Sequence, residues 1–457
     1  MKLSTSFKGQ TYKFETIKEV LAKANEEKSG DRLAGIAARS EIERVAAKEV
    51  LSQITLEALR EPVVSLEDDE VSRLIDAGID EDVFNRIKNW TVAELREFIL
   101  GSDISKESLS QIRYGLNGEM AAACTKLMSN MDLVLAGTRL PVVVKAKTTL
   151  GLPGRLAARL QPNHPSDSLD GIKASIFEGL SYGVGDAVIG INPVYDTADT
   201  VAHLLDETSK LIERLGIPTQ NCVLSHITTQ MKAIERGARA GLIFQSIAGS
   251  EAGNRAFGID CETLLEASEL GSQMIGSDEP HPFMYFETGQ GSELSSRTHH
   301  GADQLTMEAR CYAFARSFNP FLVNDVVGFI GPEYLASGKQ MIRAGLEDHF
   351  MGKLLGLPMG VDACYTNHMD ADQNDLETLT VLLTSAGVNY FMGVPMGDDV
   401  MLSYQSTSFH DIAALREIFG YLPAPEFETW LESMGLMRNG KLTEAAGDPS
   451  FLAALVN

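Results

Sequence analysis

From about residue 140 the chain alternates between two apolar patterns: short runs rich in β-branched and aromatic residues, and longer stretches whose apolar positions recur every three or four residues. The first pattern predicts strands and the second amphipathic helices. Strands are expected at Arg155 to Gln161, Ala187 to Asn192, Cys222 to His226, Leu242 to Ile247, Phe283 to Glu287, Leu322 to Phe329, Met359 to Ala363 and Asn389 to Val394. The helix between the second and third shows the logic. Asp196 can cap it, Val201, Leu204, Leu205, Thr208, Leu211, Ile212 and Leu215 form one apolar stripe, and Gly216-Ile217-Pro218 ends it. Leu305, Ala309, Tyr312 and Ala313 repeat the stripe before the sixth strand, as do Leu376, Leu379, Leu383 and Ala386 before the eighth.

Eight such units predict an α/β protein built on an eight-stranded β/α (TIM) barrel over residues 140–421. A doubly wound open sheet has the same alternation, but normally carries a glycine-rich phosphate turn after its first strand. Gly183-Val184-Gly185 precedes a strand instead of following one, and Gly289-Gln290-Gly291 leads into no helix of that type, so the barrel is the better reading. Residues 1–139 read as an N-terminal helical region, with helices over Asp31 to Leu59 and Lys106 to Leu135, and residues 422–457 as a short helical tail. The charged positions Lys18, Glu19, Glu26, Glu27 and Lys28 are expected to be solvated surface.

Charge narrows the partners. A net charge of -24 repels phosphate backbones and anionic lipid, and no Lys/Arg cluster is large enough to reverse that field. Nucleic acid and membrane are therefore poor partners. No apolar run is long enough to cross a membrane, and the N-terminus leads into polar sequence, so the chain is expected in the cytoplasm or in a body enclosed there. Five widely spaced cysteines fit reduced thiols, and no Cys-x-x-Cys pair or Cys-x3-Cys-x2-Cys triplet is present to hold a metal or an iron–sulfur cluster.

Catalytic side chains of a β/α barrel lie at the C-terminal ends of its strands. Here those ends are polar: Arg159 and Gln161, on one side of the first strand by period-two alternation, then Asn192, Gln245-Ser246, Glu287 and Asp362. A single Asn or Asp at such a place is readily a helix cap or a satisfied buried group. Five together are harder to explain that way. Two carboxylates in an apolar barrel mouth need a cation between them, either Arg159 or the ammonium of a small ligand. Val326, Phe329, Met392 and Leu402 would supply apolar walls, though each also reads as plain core. No strand ends in lysine, which disfavours Schiff-base chemistry; His-x-His strands, a His-Glu-x-x-His helix and a Gly-x-Ser-x-Gly elbow are missing as well. Glu347-Asp348-His349-Phe350-Met351-Gly352 imitates the Asp-x-His-x-x-Gly loop of some cobalamin proteins, but it starts with Glu and sits in a helical stretch, where His349 reads as a surface or interhelical residue.

Five stretches carry a resemblance: Arg159-Leu160-Gln161-Pro162-Asn163-His164-Pro165, Gly190-Ile191-Asn192-Pro193-Val194, Phe244-Gln245-Ser246-Ile247-Ala248-Gly249, Tyr285-Phe286-Glu287-Thr288-Gly289-Gln290-Gly291-Ser292 and Gly360-Val361-Asp362-Ala363-Cys364-Tyr365-Thr366-Asn367-His368. In these, and over essentially its whole length, the chain resembles the large subunit of ethanolamine ammonia-lyase, an adenosylcobalamin enzyme. The resemblance implies conversion of ethanolamine to acetaldehyde and ammonia by a radical amino-group migration, with a small subunit completing the cofactor site in a hetero-oligomer. It implies that Glu287, Gln161 and Asp362 bind the substrate ammonium, and that Arg159, Asn192 and Glu287 bind its hydroxyl, with Glu287, Arg159 and Asp362 catalytic. Asn192, Phe244 and Ser246 are expected near the cofactor, and no protein side chain is expected on cobalt. A bacterial microcompartment is a setting the family leaves open. From the residues alone, a cofactor-free or metal-dependent barrel lyase acting on a small amino alcohol, or a non-enzymatic scaffold, stays open.

Overall fold

The computed structural model describes residues 2–276, 280–401 and 403–456. Its centre is a sheet of eight parallel strands: β1 (Ala157–Leu160), β2 (Val188–Ile191), β3 (Asn221–Val223), β4 (Ile243–Ser246), β5 (Met284–Thr288), β6 (Leu322–Val326), β7 (Met359–Asp362) and β8 (Tyr390–Gly393). The ladder runs β3-β2-β1-β8-β7-β6-β5-β4, so the last strand pairs with the first and the sheet curls into a barrel. At the seam, Gly241 N and Leu242 N both donate to Asn221 O, which carries the backbone bonding from the start of β4 back to β3. The eight-stranded β/α barrel expected from the sequence is the fold.

Alternation along the strands sorts the interior from the helix layer. Arg159, Tyr285, Glu287 and Asn324 meet inside the barrel, while Leu160, Met359 and Gly393 pack outward against Gly179, Gly352 and Phe409 of surrounding helices. Two glycines make room for bulky interior groups: a Cβ on Gly190 would lie 3.2 Å from Arg159 Nε, and one on Gly360 only 2.0 Å from Tyr390 Cζ.

The helix Ala198–Leu215 buries the whole predicted stripe and ends at Gly216 in the left-handed conformation. Its cap differs from expectation. Thr197 accepts from Thr200 N, whereas Asp196 accepts from His226 N at 3.2 Å and so ties the two loops together. The third strand is shorter than Cys222 to His226 because His226 caps the helix Ile227–Glu235, and the sixth stops at Val326 rather than Phe329.

The N-terminal region opens with an unexpected hairpin, Ser4–Phe7 paired with Gln10–Lys13. Asp31 to Leu59 is not one helix: Ser29–Leu33 is followed by Glu41–Ser52, which starts where Ser40 accepts from Glu43 N. Likewise Lys106 to Leu135 divides into Lys106–Ile112, Gly118–Lys126 and Asn130–Arg139, capped by Ser105, Asn117 and Ser129. Lys28 is not solvated. It is fully buried and pairs with Glu347 at 2.7 Å, while Lys126–Asp303 and Arg310–Glu119 are further buried pairs at 2.9 and 2.7 Å between this region and the barrel helices. Removing one partner of a buried pair strands the other charge, so these contacts fix the docking of the region more than they stabilise it. The tail is helical at Pro425–Ser433 and Ser450–Val456, with a small hairpin, Met437–Arg438 with Lys441–Leu442, between them. Among the described residues no helix is long and apolar enough to cross a membrane.

Candidate active site

The barrel mouth holds a cavity of about 110 Å³ lined by side chains from seven of the eight strand ends. Arg159, Gln161, Asn192, Ser246, Glu287 and Asp362 all reach it, and so do Val326, Phe329 and Met392. Leu402 lies outside the described residues. Phe244 is not part of the lining: it sits deeper, edge-on to Tyr285 at 5.3 Å between ring centres.

Arg159 organises the pocket. Its guanidinium forms an ion pair with Glu287, donates to Gln161 Oε1, and donates to the Tyr285 hydroxyl at 2.5 Å. Glu287 Oε1 also accepts from Tyr285 at 2.7 Å and from Asn324 Nδ2 at 3.3 Å. Three donors therefore saturate Oε1, which leaves Oε2 as the oxygen available to a ligand of the cavity that Glu287 lines. Burial works against the Arg159 charge, yet Tyr285, Glu287 and Asp362 around it raise its pKa above the ordinary guanidinium value, so it stays a cation at every pH of interest.

Asp362 has a different environment. Its oxygens accept from Tyr404 at 2.9 Å and from Ser406, with Arg159 acting only at a distance. Burial pushes its carboxyl up to about 7, and the two hydroxyls offset only part of that. The anticipated pair of carboxylates is thus unequal: one is paired with a guanidinium, and burial holds the other above the ordinary carboxylate range.

Tyr404 and Ser406 belong to a segment that the strand pattern does not reveal. After β8 the chain forms a hairpin, Asp398–Asp399 with Tyr404–Gln405, whose second strand also pairs with Tyr365–Thr366 just beyond β7. This three-stranded patch lies at one side of the mouth, over the ends of β7, β8 and β1, and sends Asp399 to Gln161 and Asn163, and Tyr404 and Ser406 to Asp362. Tyr285 and Asn324 were within reach of period-two reasoning, since each shares a strand face with a polar or wall residue already singled out. The hairpin residues were not.

The Glu347 to Gly352 motif lies within the helix Gly338–Leu354 and is committed to structure. Glu347 is held by Lys28 and Arg343, and His349 is buried between helices, where burial holds its pKa well below the ordinary value.

A β/α barrel with a polar, charge-paired cavity at the strand C-termini defines a barrel enzyme. The chain matches the family model for the ethanolamine ammonia lyase large subunit over residues 12–445. It is 55% identical over 453 residues to the ethanolamine ammonia-lyase large subunit of Escherichia coli strain K12, covering 98% of this chain and 99% of that one. The same identity and coverage hold for that of Salmonella typhimurium strain LT2. A solved structure of a phospho-2-dehydro-3-deoxyheptonate aldolase from Thermotoga maritima aligns with a TM-score of 0.37 at 13% identity, over 62% of this chain and 75% of that one, which is too distant to argue from. The chain belongs to the ethanolamine ammonia-lyase large subunit family, and it is a lyase.

Proposed function

We propose that this chain is the catalytic subunit of an adenosylcobalamin-dependent ethanolamine ammonia-lyase, forming acetaldehyde and ammonia by amino-group migration. The observation that carries the reading is the pocket's division of labour. A cavity of about 110 Å³ has room for a molecule of a few heavy atoms, with carboxylate oxygens for an ammonium and a fixed guanidinium for a hydroxyl. Glu287 Oε2 and Asp362 would take the ammonium together with Gln161, while Arg159 and Asn192 would donate to the hydroxyl oxygen. Glu287 touches both ends, which suits a reaction in which nitrogen moves to the neighbouring carbon. Ammonium binding favours the ionised form of Asp362, so the substrate itself recruits the second charge. Val326, Phe329 and Met392 keep water from the reacting carbons.

The residues at the mouth fit a large, flat cofactor and a second protein. Val194, Tyr195, Phe257, Phe329, Met396 and Val400, from four different loops, are exposed apolar side chains; Met396 is 88% and Tyr195 63% accessible. Such a rim is unusual on a surface with nothing to cover it. Bound there, adenosylcobalamin would supply the radical chemistry that starts the reaction. Asn192 and Ser246 would contact its adenosyl end, and Phe244 would act only by packing beneath. The name the relatives carry, large subunit, supports a small partner subunit closing the cofactor from the other side in a hetero-oligomer.

The test is acetaldehyde release from ethanolamine by the chain mixed with the small subunit and adenosylcobalamin. Activity should need all three components. Turnover without the corrin would refute the cofactor assignment, and a fully loaded complex that leaves ethanolamine intact would refute the substrate.

A further inference from the structure

The geometry points to Asp399 as a positioning residue that fixes the amide orientation of Gln161, and through it the amine side of the pocket. The inference rests on the substrate reading above. A glutamine amide has two chemically different ends, an oxygen that only accepts and a nitrogen that only donates. Gln161 sits with each end against a partner that tolerates one choice. Arg159 can only donate, so Gln161 Oε1 faces it, and the Asp399 carboxylate accepts from Gln161 Nε2. Turning the amide over would set NH₂ against a guanidinium and oxygen against a carboxylate. Arg159 alone fixes one end; Asp399 makes the choice two-sided.

Asp399 has a second hold on the same wall. Asn163 Nδ2 donates to its Oδ2 at 3.2 Å, and Asn163 Oδ1 accepts from the backbone N–H of Asn192 at 2.9 Å. Its other oxygen accepts from Met401 N at 2.8 Å, which anchors the carboxylate in the hairpin. One buried carboxylate from the hairpin after β8 thereby orients two amides after β1 and, through one of them, the backbone that presents Asn192. Gln161 and Asn192 both line the cavity, and Asp399 does not.

The test is a reciprocal exchange read as ethanolamine affinity. Asp399→Asn keeps the shape but offers Gln161 Nε2 a donor, unless its amide turns and meets Met401 N–H with a donor instead. Gln161→Glu keeps the Arg159 contact but sets two carboxylates against each other. In the double substitution the carboxylate introduced at position 161 accepts from Arg159 and from the amide introduced at position 399, which restores donor to acceptor at both contacts of position 161 and leaves Asn163 Nδ2 as the one donor still facing a donor. Calorimetry on the holoenzyme reconstituted with cyanocobalamin, which has no adenosyl group and does not turn over, gives Kd for ethanolamine. Each single substitution should weaken binding about tenfold or more, and the double substitution should bind more tightly than either. A residue that merely supports the hairpin would give no such recovery. If one single variant fails to fold, recovery of the double relative to the remaining single still decides. A double variant that binds no better than the tighter single overturns the positioning role while the functional reading stands. Wild type that binds no ethanolamine overturns both.

Discussion

Glu287→Gln should disable the pocket through a mismatch that the surrounding donors enforce. Arg159, Tyr285 and Asn324 all donate to Oε1 of Glu287, so the glutamine oxygen must occupy that position and its NH₂ must take the place of Oε2. A donor then faces the substrate ammonium. Loss of a charge-assisted hydrogen bond costs about 1.5–3 kcal/mol, and leaving the facing donors unsatisfied adds about 1–3 kcal/mol. Coulomb's law gives a similar scale, because a unit charge roughly 5 Å away at an effective permittivity near 20 is worth about 3 kcal/mol. Since Arg159 keeps its charge, that loss is not compensated locally. A total of about 3–5 kcal/mol corresponds to roughly 100- to 5000-fold in kcat/KM. The assay is acetaldehyde release coupled to an NADH-dependent alcohol dehydrogenase, on variant enzyme that is cobalamin-loaded and has an intact far-ultraviolet circular dichroism spectrum. A kcat/KM within tenfold of wild type would refute the claim that Oε2 meets the ammonium.

Four further outcomes follow from the same geometry. With burial pushing Asp362 up to about 7, kcat/KM should rise with pH through that region, and the limb should vanish in Asp362→Asn, whose activity stays low throughout. Because the folded value lies above the ordinary carboxylate value of about 4, the native state holds a proton there that the unfolded chain has lost; this group's contribution to stability is greatest below about 4 and falls as pH rises towards 7. The thermal midpoint of Asp362→Asn should accordingly decline less than that of wild type across the interval. Tyr404→Phe removes the hydroxyl that donates to Asp362 at 2.9 Å, so the acid limb of kcat/KM should move to higher pH; an unmoved limb would show that the hydroxyl does not support the charge. Gly360→Ala places a Cβ 2.0 Å from Tyr390 Cζ inside the barrel and should cost about 1–3 kcal/mol or more, seen as a lower thermal midpoint; an unchanged midpoint would mean the ring has free space to move.

The sequence by itself determined the elements whose identity is a local matter. The helix Ala198–Leu215 could be read from its stripe because a 3.6-residue period has one buried face whatever it packs against, and the eight strands were found within a few residues of their ends. Strand ends also exposed Arg159, Gln161, Asn192, Glu287 and Asp362 as neighbours, since barrel closure brings strand C-termini together without further information. Caps were less legible. Thr197 displaced Asp196, and Asn117 and Ser129 broke an apparently continuous helix, because capping energies of about 1 kcal/mol are easily redirected by a neighbouring loop. Only the tertiary structure decided what the charges do. Lys28 reads as surface until Glu347, 319 residues away, is found against it in the buried interface. The same is true of Asp399, Tyr404 and Ser406. Their hairpin strands are two residues long, too short to show a period, and are held in register by pairing with Tyr365–Thr366 and by the pocket groups they contact. Those contacts exist only after the barrel has closed, so the orientation of Gln161 and the protonation of Asp362 are properties of the assembled mouth rather than of any segment of the chain.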